Sequence, residues 1–587
     1  MYRRRIVQLG CLILLGITLL LARLAQIQLI ETKTFTKRDI NLIEASVEQR
    51  TQTVILDHGR GKFYDRNGKP INYETIPGLV LFPFLKNMNW NSEKVAEIIG
   101  VEEEELLEAV QEAKDPFIFG GDDPFHLTEE QMDAINELEI PGVFAVEQQL
   151  DKEVPPAIHL IGLIGENLEE AKRRYPEKIL PHDVQIGITG LQKSFDEFLL
   201  QEEVSKLVFH VDGKGGPLFG IDVKYVNPSN PFYPIKVNTT IDLDIQKKAE
   251  EIVDTLGLKK GGLVLLDIKT NSVLAMVSRP MVDGKDPFKD DGAKNFMTTA
   301  SIPGSIFKTV IAAAAIDYNL APPTRTFDCS QNIRGEEDEI FDHGVYNFTT
   351  SFAASCNYTF GTLAKELSQI DVNLIETYAE KMGLIQQVGW HGDVFHYKDF
   401  KQIPDEEKGQ VFLEDEERID SNFVAQTGIG QKNVRVTPLQ VANLMATIAK
   451  GGKKDMVRAV SSLEYKNGTP LYRFINSELD GEILAPYTTM KLQHLLREVV
   501  TNPKGTGQAL NNLPYAVAGK SGTAETGIID EQSGKERLNR WFAGYFPFEE
   551  PKYALVVVDL EGIKSPSPIT IFQDMVKFLY NYDHQEL

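Results

Sequence analysis

The spacing of apolar and polar positions changes several times along this 587-residue chain, and each change marks a different kind of element. The first stretch has no polar face. An apolar run from Ile6 to Ala22, continued past Arg23 by Leu24, Ile27 and Leu29, predicts a single helix over 6–30 that spans a membrane. It is slightly short, but tilt and an Arg23 side chain reaching to the interface extend it. Arg3, Arg4 and Arg5 precede it and would stay cytoplasmic, which puts the bulk of the chain on the far side of the membrane. A cleaved leader would share the basic start, but the small-residue spacing needed for cleavage fails around Ala22-Arg23-Leu24-Ala25. Cys11 opens the run instead of closing it, which argues against lipid attachment there.

From about Glu31 to Pro234, short apolar alternations mix with acidic helical periods. Ser92 to Ile99 and Val101 to Ala113 read as two amphipathic helices, and Thr128-Glu-Glu-Gln opens a third as a capping box. The acidic runs are read as solvated faces and given no function. Asn227-Pro-Ser-Asn-Pro with Pro234 marks a boundary. Past it, Gly262 to Asp267 and Ser272 to Ser278 are apolar strands joined by a polar turn at Lys269-Thr-Asn. Ser305 to Tyr318 is alanine-rich with few charges, so a helix buried on all sides is predicted. Helices follow to about Leu496, then strands at 515–523, 540–545 and 553–560, and a closing helix from Ile569 to Tyr580. The sum is an α+β fold: an antiparallel five-stranded sheet flanked by helices.

Composition narrows the function. A chain this long exceeds one hydrophobic core, and 42% hydrophobic with 25% charged residues describes folded protein. A net charge of -24 argues against nucleic acid as a partner, since phosphate binding needs clustered Lys and Arg. Three cysteines are too few for a disulfide scaffold or a zinc site. Cys329 and Cys356 could pair, but a lone buried thiol is the commoner state of a cysteine. The ten histidines show no metal spacing, and no cofactor or metal is called for.

Three short motifs carry candidate chemistry. In Ser305-Ile306-Phe307-Lys308, helical spacing brings the Lys308 amine to the Ser305 hydroxyl. A serine needs a base to become a nucleophile, and a lysine desolvated by burial can lose its charge and serve as one. Pro303-Gly304 would start the helix so that backbone N–H groups aim into the site. In Ser355-Cys356-Asn357, the hydroxyl and the amide point one way and the thiol the other. Ser355 can pass a proton to a leaving amine and Asn357 can hold a substrate backbone, whereas Cys356 has no paired histidine. In Lys520-Ser521-Gly522-Thr523, strand alternation places Lys520 and Gly522 on one side and Ser521 and Thr523 on the other. Lys520 adds positive potential for an anionic substrate, and Gly522 would leave room for a substrate backbone at the strand edge. Taken singly, each motif also has a bland reading, as a chance S-x-x-K, a polar helix cap or an edge charge.

Together they resemble the S-x-x-K, S-D-N and K-T-G set of the penicillin-recognising acyl-serine enzymes, with S-C-N and K-S-G in the second and third places. Arg60 to Gly68, Ile188-Thr-Gly-Leu191, Thr240-Ile-Asp242, Gly428-Ile-Gly-Gln431, Thr437-Pro-Leu-Gln440 and Trp541-Phe-Ala-Gly544 extend the likeness to class B penicillin-binding proteins over nearly the whole chain. The resemblance implies a cytoplasmic tail (1–5), a transmembrane anchor (6–30), a non-catalytic pedestal of dimerisation type (31–235) and a penicillin-binding transpeptidase domain (236–587). It implies a peptidoglycan D,D-transpeptidase in which Ser305 attacks the D-Ala-D-Ala stem peptide. Lys308, Ser355, Asn357 and Lys520 would share the catalysis, and Ser521, Gly522 and Thr523 would line the carboxylate and oxyanion sites. Stem peptides, β-lactam antibiotics and the cell membrane are the implied partners, and glycan-polymerising membrane proteins could join them. Gln192 stands where the family usually has an acid, and Ile306 where threonine is common.

The rival readings are a β-lactam-hydrolysing enzyme, a sensor or scaffold, and a D,D-carboxypeptidase. The anchor, the pedestal and Asn357 disfavour the first. A sensor would need cytoplasmic signalling sequence, whereas only a few residues precede Ile6. A carboxypeptidase differs only in passing the acyl group to water, which depends on cleft shape.

Overall fold

A computed structural model describes residues 2–30, 51–121, 125–178, 180, 183–200, 204–211, 224–226, 230–338, 344–563 and 567–585. Residues 227–229 of the expected boundary and the first part of the expected pedestal, 31–50, lie outside it. Two compact units form, and they do not follow chain order. One comprises Met1–Gly59, Glu74–Leu150 and Glu203–Asn230; the other comprises Arg60–Tyr73, Asp151–Glu202 and Pro231–Leu587.

In the first unit, the apolar run forms helix Tyr2–Ala25 and ends in a π-turn, Gln26–Ile30. Its large apolar side chains are exposed, and the 29-residue element is long enough to cross a membrane. Strand Tyr73–Leu81 illustrates how a period of two builds two cores: Leu79 and Leu81 join one apolar cluster, Val80 the other. The first cluster is closed by the expected amphipathic helices Ser92–Ile99 and Glu103–Glu112. It also takes helix Glu129–Asn136, whose N-terminus is the Thr128–Gln131 capping box.

In the second unit, the central sheet has five antiparallel strands. In spatial order they are Ser272–Arg279, Gly261–Asp267, Tyr553–Gly562, Glu536–Phe546 and Ala518–Ile529. Alternate residues again face different cores. Val264, Leu266, Val556 and Val558 meet the large cluster built on helix Lys308–Asp317, while Leu263, Leu265, Leu555 and Val557 meet helices Leu243–Thr255 and Pro568–Gln585. Burial on both faces explains why these strands read as unbroken apolar runs. Residues 308–315 are all buried, as the alanine-rich stretch requires.

The segment from Arg60 belongs to this unit through a small four-stranded sheet, where Lys62–Tyr64 runs parallel to Lys236–Thr239. Gly61 fits only because it lacks a Cβ, which would stand 2.5 Å from a Leu199 methyl carbon and 2.8 Å from the Ile235 carbonyl oxygen. Arg60 is buried and makes four hydrogen bonds: it donates to Gln192 Oε1 twice (3.2 and 2.8 Å), to the Gln185 carbonyl (2.8 Å) and to Asp196 Oδ1 (2.8 Å). The glutamine in the family's acidic position thus serves as a neutral acceptor, and buried Asp196 carries the balancing charge. Asp196→Ala leaves Arg60 buried without an anion, a loss of about 3–5 kcal/mol. Denaturant unfolding of the detergent-solubilised protein should show it as a marked drop in midpoint, with Asp196→Asn falling less.

Candidate active site

The S-x-x-K segment is not a continuous α-helix. Gly304–Phe307 forms one 3-10 turn, and the α-helix begins at Lys308. In a 3-10 turn residues three apart eclipse, so Ser305 and Lys308 still stand in line, and the Lys308 N–H donates to the Ser305 carbonyl. The turn is wedged between two other backbones. Gly304, at φ +56°, has its missing Cβ position 2.2 Å from the Thr523 carbonyl oxygen, and Gly430, at φ +75°, lies equally tight against the Gly304 carbonyl at 1.9 Å. The Gly304 N–H also donates to the Gly430 carbonyl at 3.0 Å. The Trp541 indole N–H ties down the chain just upstream through the Ile302 carbonyl, so Trp541 anchors as well as packs. Gly522 has a different reason from the one expected of it. The volume of its side chain is taken by the Pro303 carbonyl (2.4 Å) and Ile306 (2.9 Å), so the glycine admits the candidate nucleophile's turn and not a substrate backbone.

The second motif joins the first through hydrogen bonds. Lys308 Nζ lies 2.6 Å from the Ser355 carbonyl, 2.7 Å from Asn357 Oδ1 and 3.1 Å from Ser355 Oγ. Among the described residues it makes no hydrogen bond to Ser305, whose side chain is half-buried beside it in the turn. Two of the three partners can only accept, and the third is a hydroxyl that can also donate. Lys308 Nζ donates to all three, and none of them is a carboxylate that would balance a charge. Burial first, and the nearby Lys520 charge second, hold the Lys308 amine well below the ordinary lysine range. Lys520, also fully buried, is pulled down by burial to about 7. Each lysine nitrogen lies against an aromatic ring, Lys308 5.6 Å from Phe360 and Lys520 5.7 Å from Phe352, and those two rings pack edge to face.

Ser355 sits at φ +62°, a left-handed residue between helices Phe348–Ala353 and Asn357–Ile370, and that turn aims its oxygens at Lys308. Cys356 faces away and pairs with Cys329 in a disulfide. The sequence leaves this pairing open. Strands Thr326–Asp328 and Val345–Asn347 pair and bring the two chain segments together, so that the Cα atoms stand 5.8 Å apart. In the third motif, Ser521 Oγ donates to Thr506 Oγ1 at 2.7 Å, and Thr523 is exposed. Phe352, Phe360 and Thr506 are neighbours that the motif search missed. The aromatic pair flanks the S-C-N turn by three residues on either side, a spacing that could have flagged it. Thr506 has only its flanking glycines as a signal.

The residues matching "Penicillin binding protein transpeptidase domain" are 261–567, just over half of the chain, and "Penicillin-binding Protein dimerisation domain" matches 56–221. The chain is 25% identical to peptidoglycan D,D-transpeptidase MrdA of Haemophilus influenzae, over 94% of this chain and 87% of that protein. It is 24% identical to penicillin-binding protein 2A of Bacillus subtilis, over 72% and 62%. Among solved structures, a chain described under "Structural coordination of polymerization and crosslinking by a peptidoglycan synthase complex" superposes with a TM-score of 0.65 at 22% identity, covering 98% of both chains. Penicillin-binding protein 2B of Streptococcus pneumoniae superposes at 0.58 and 18%, over 90% of this chain and 99% of that one. These two share the fold. Opening the Cys329–Cys356 bridge should cost about 2–4 kcal/mol. A fall in the unfolding temperature on reduction, absent in a Cys329→Ser/Cys356→Ser double variant, is the expected result.

Proposed function

Because this chain belongs to the class B penicillin-binding proteins, with that family's transpeptidase and dimerisation domains, we propose that Ser305 is the acylated residue of a peptidoglycan D,D-transpeptidase. The observation that carries the reading is the buried Lys308 amine, which has no carboxylate among its hydrogen-bond partners and is held well below the ordinary lysine range by burial. Neutral Lys308 takes the proton of Ser305 Oγ as the oxygen attacks the penultimate carbonyl carbon of a D-Ala-D-Ala stem. The oxyanion is held by the backbone N–H groups of Ser305 and Thr523, and the tight packing of Thr523 on Gly304 keeps those donors close. The C–N bond then breaks. Ser355, hydrogen-bonded to Lys308, relays the proton from the lysine to the departing D-alanine amine. An amine of a neighbouring stem attacks the ester, its proton returns along the same path, and Ser305 is released. Asn357 holds Lys308 and the substrate backbone, and Ser521 and Thr523 hold the terminal carboxylate, with Lys520 supplying positive potential as the anion draws a proton back onto it.

Residues 1–5 are the cytoplasmic tail, 6–30 the anchor, 31–235 the non-catalytic pedestal, of which Arg60–Tyr73 and Asp151–Glu202 belong to the same compact unit as the catalytic domain, and 236–587 that catalytic domain on the outer side. The arginines before Ile6 favour this orientation. A membrane-held enzyme that cross-links new glycan is suited to a polymerase partner, and a synthase complex among the similar structures supports one. β-Lactams acylate the same serine.

Labelled penicillin followed by peptide mass spectrometry should give a lasting adduct on the Ser305 peptide and none in Ser305→Ala. An unchanged adduct in that variant sinks the assignment, and turnover of the adduct within milliseconds would favour hydrolysis instead. Acylation should also depend on pH with a definite sign. The base works deprotonated, so the rate falls as pH drops through the lowered Lys308 value and is already high well below the ordinary lysine pKa of about 10.4. A single-turnover profile that rises only near pH 10 would mean a charged resting lysine.

A further inference from the structure

The residue facing Ser521 has no place in the three motifs. Thr506 is exposed, so packing does not account for its side chain, yet it is held from two sides. Its N–H donates to the Ala353 carbonyl at 3.1 Å, at the end of the helix that leads into Ser355. Its Oγ1 accepts the Ser521 hydroxyl at 2.7 Å from the strand opposite. The turn bearing it is rigid: a Cβ on Gly505 would stand 2.2 Å from the Val499 carbonyl oxygen, and the Gly507 N–H donates to that same carbonyl at 3.0 Å. Thr506 therefore has a fixed backbone and one hydroxyl rotor, aimed at the hydroxyl that faces the substrate's anionic end.

We propose that Thr506 is a positioning residue for recognition of the donor's terminal carboxylate, acting through Ser521. A serine hydroxyl has one proton. In the empty site that proton is spent on Thr506 Oγ1, so Ser521 cannot donate elsewhere. When a carboxylate arrives, the Ser521 O–H turns to it, and the Thr506 hydroxyl rotates to donate into the vacated Ser521 lone pair. The two hydroxyls then form a directed chain, Thr506 to Ser521 to carboxylate, in which each bond polarises the next. A neutral terminus gives Ser521 no comparable acceptor, so Thr506 contributes to selectivity for the anion. No bond is made or broken at Thr506. The inference rests on the reading that Ser521 binds the carboxylate.

The test measures second-order acylation rates of the full-length protein in detergent by benzylpenicillin and by its methyl ester, for wild type, Thr506→Val, Thr506→Ser and Ser521→Ala. The expected result is a carboxylate-over-ester preference that drops about fivefold in Thr506→Val, the worth of one neutral hydrogen bond, and is restored in Thr506→Ser. A drop in Ser521→Ala with no drop in Thr506→Val overturns the inference and leaves the carboxylate reading standing. No drop in either variant overturns both. Equal slowing of acid and ester in Thr506→Val, with a lower unfolding temperature, would make Thr506 a structural link across the cleft and likewise overturn the proposal.

Discussion

An uncharged amine inside a protein is the constraint around which this site is arranged. Burying an ammonium without a counter-ion is expensive, and no carboxylate is hydrogen-bonded to Lys308 among the described residues; its partners are two carbonyl-type oxygens and a hydroxyl. A second buried lysine, Lys520, adds to the cost of a charge. The site therefore favours the form of Lys308 that can accept a proton, and the Ser355 hydroxyl lies within hydrogen-bonding reach of the amine. Phe352 and Phe360 moderate the arrangement, since their π faces offer each ammonium a partial partner when protons do arrive.

Holding a lysine in that state needs accurate backbone placement, and the structure achieves it by removing side chains. Gly304, Gly430 and Gly522 let three segments far apart in sequence approach closely around Ser305. The turn is seated against the edge strand on one side and the Gly428–Gln431 segment on another, while the all-buried helix behind it is fixed by close packing. The Cys329–Cys356 bridge does similar work for the S-C-N turn, pinning the middle residue so that its two neighbours face Lys308. Thr506 closes the remaining gap between that region and the lysine-bearing strand. Farther from the chemistry, the Arg60 cluster shows the same economy: a buried cation keeps a balancing carboxylate and two further acceptors although one expected acid is a glutamine.

Much of this could be read from residues in order. The anchor, the five strands and the buried helix follow from the period and length of apolar runs, because solvent exclusion acts on each face of each element separately. The motif residues stood out by spacing, and their co-linear order pointed to the family. The chain alone also pointed to the direction of the Lys308 shift, since a lysine opening a buried, alanine-rich helix is desolvated. What it left undecided or misjudged depended on pieces distant in sequence. Whether Cys329 meets Cys356, why Gly522 is bare, which residues clothe the two lysines, that Lys308 rests on Ser355 and Asn357 instead of Ser305, and that Thr506 faces Ser521 are all matters of through-space distance. Local sequence fixes the shape and the buried face of an element through short-range sterics and hydrophobicity. Only chain packing decides which two faces end up within hydrogen-bonding reach.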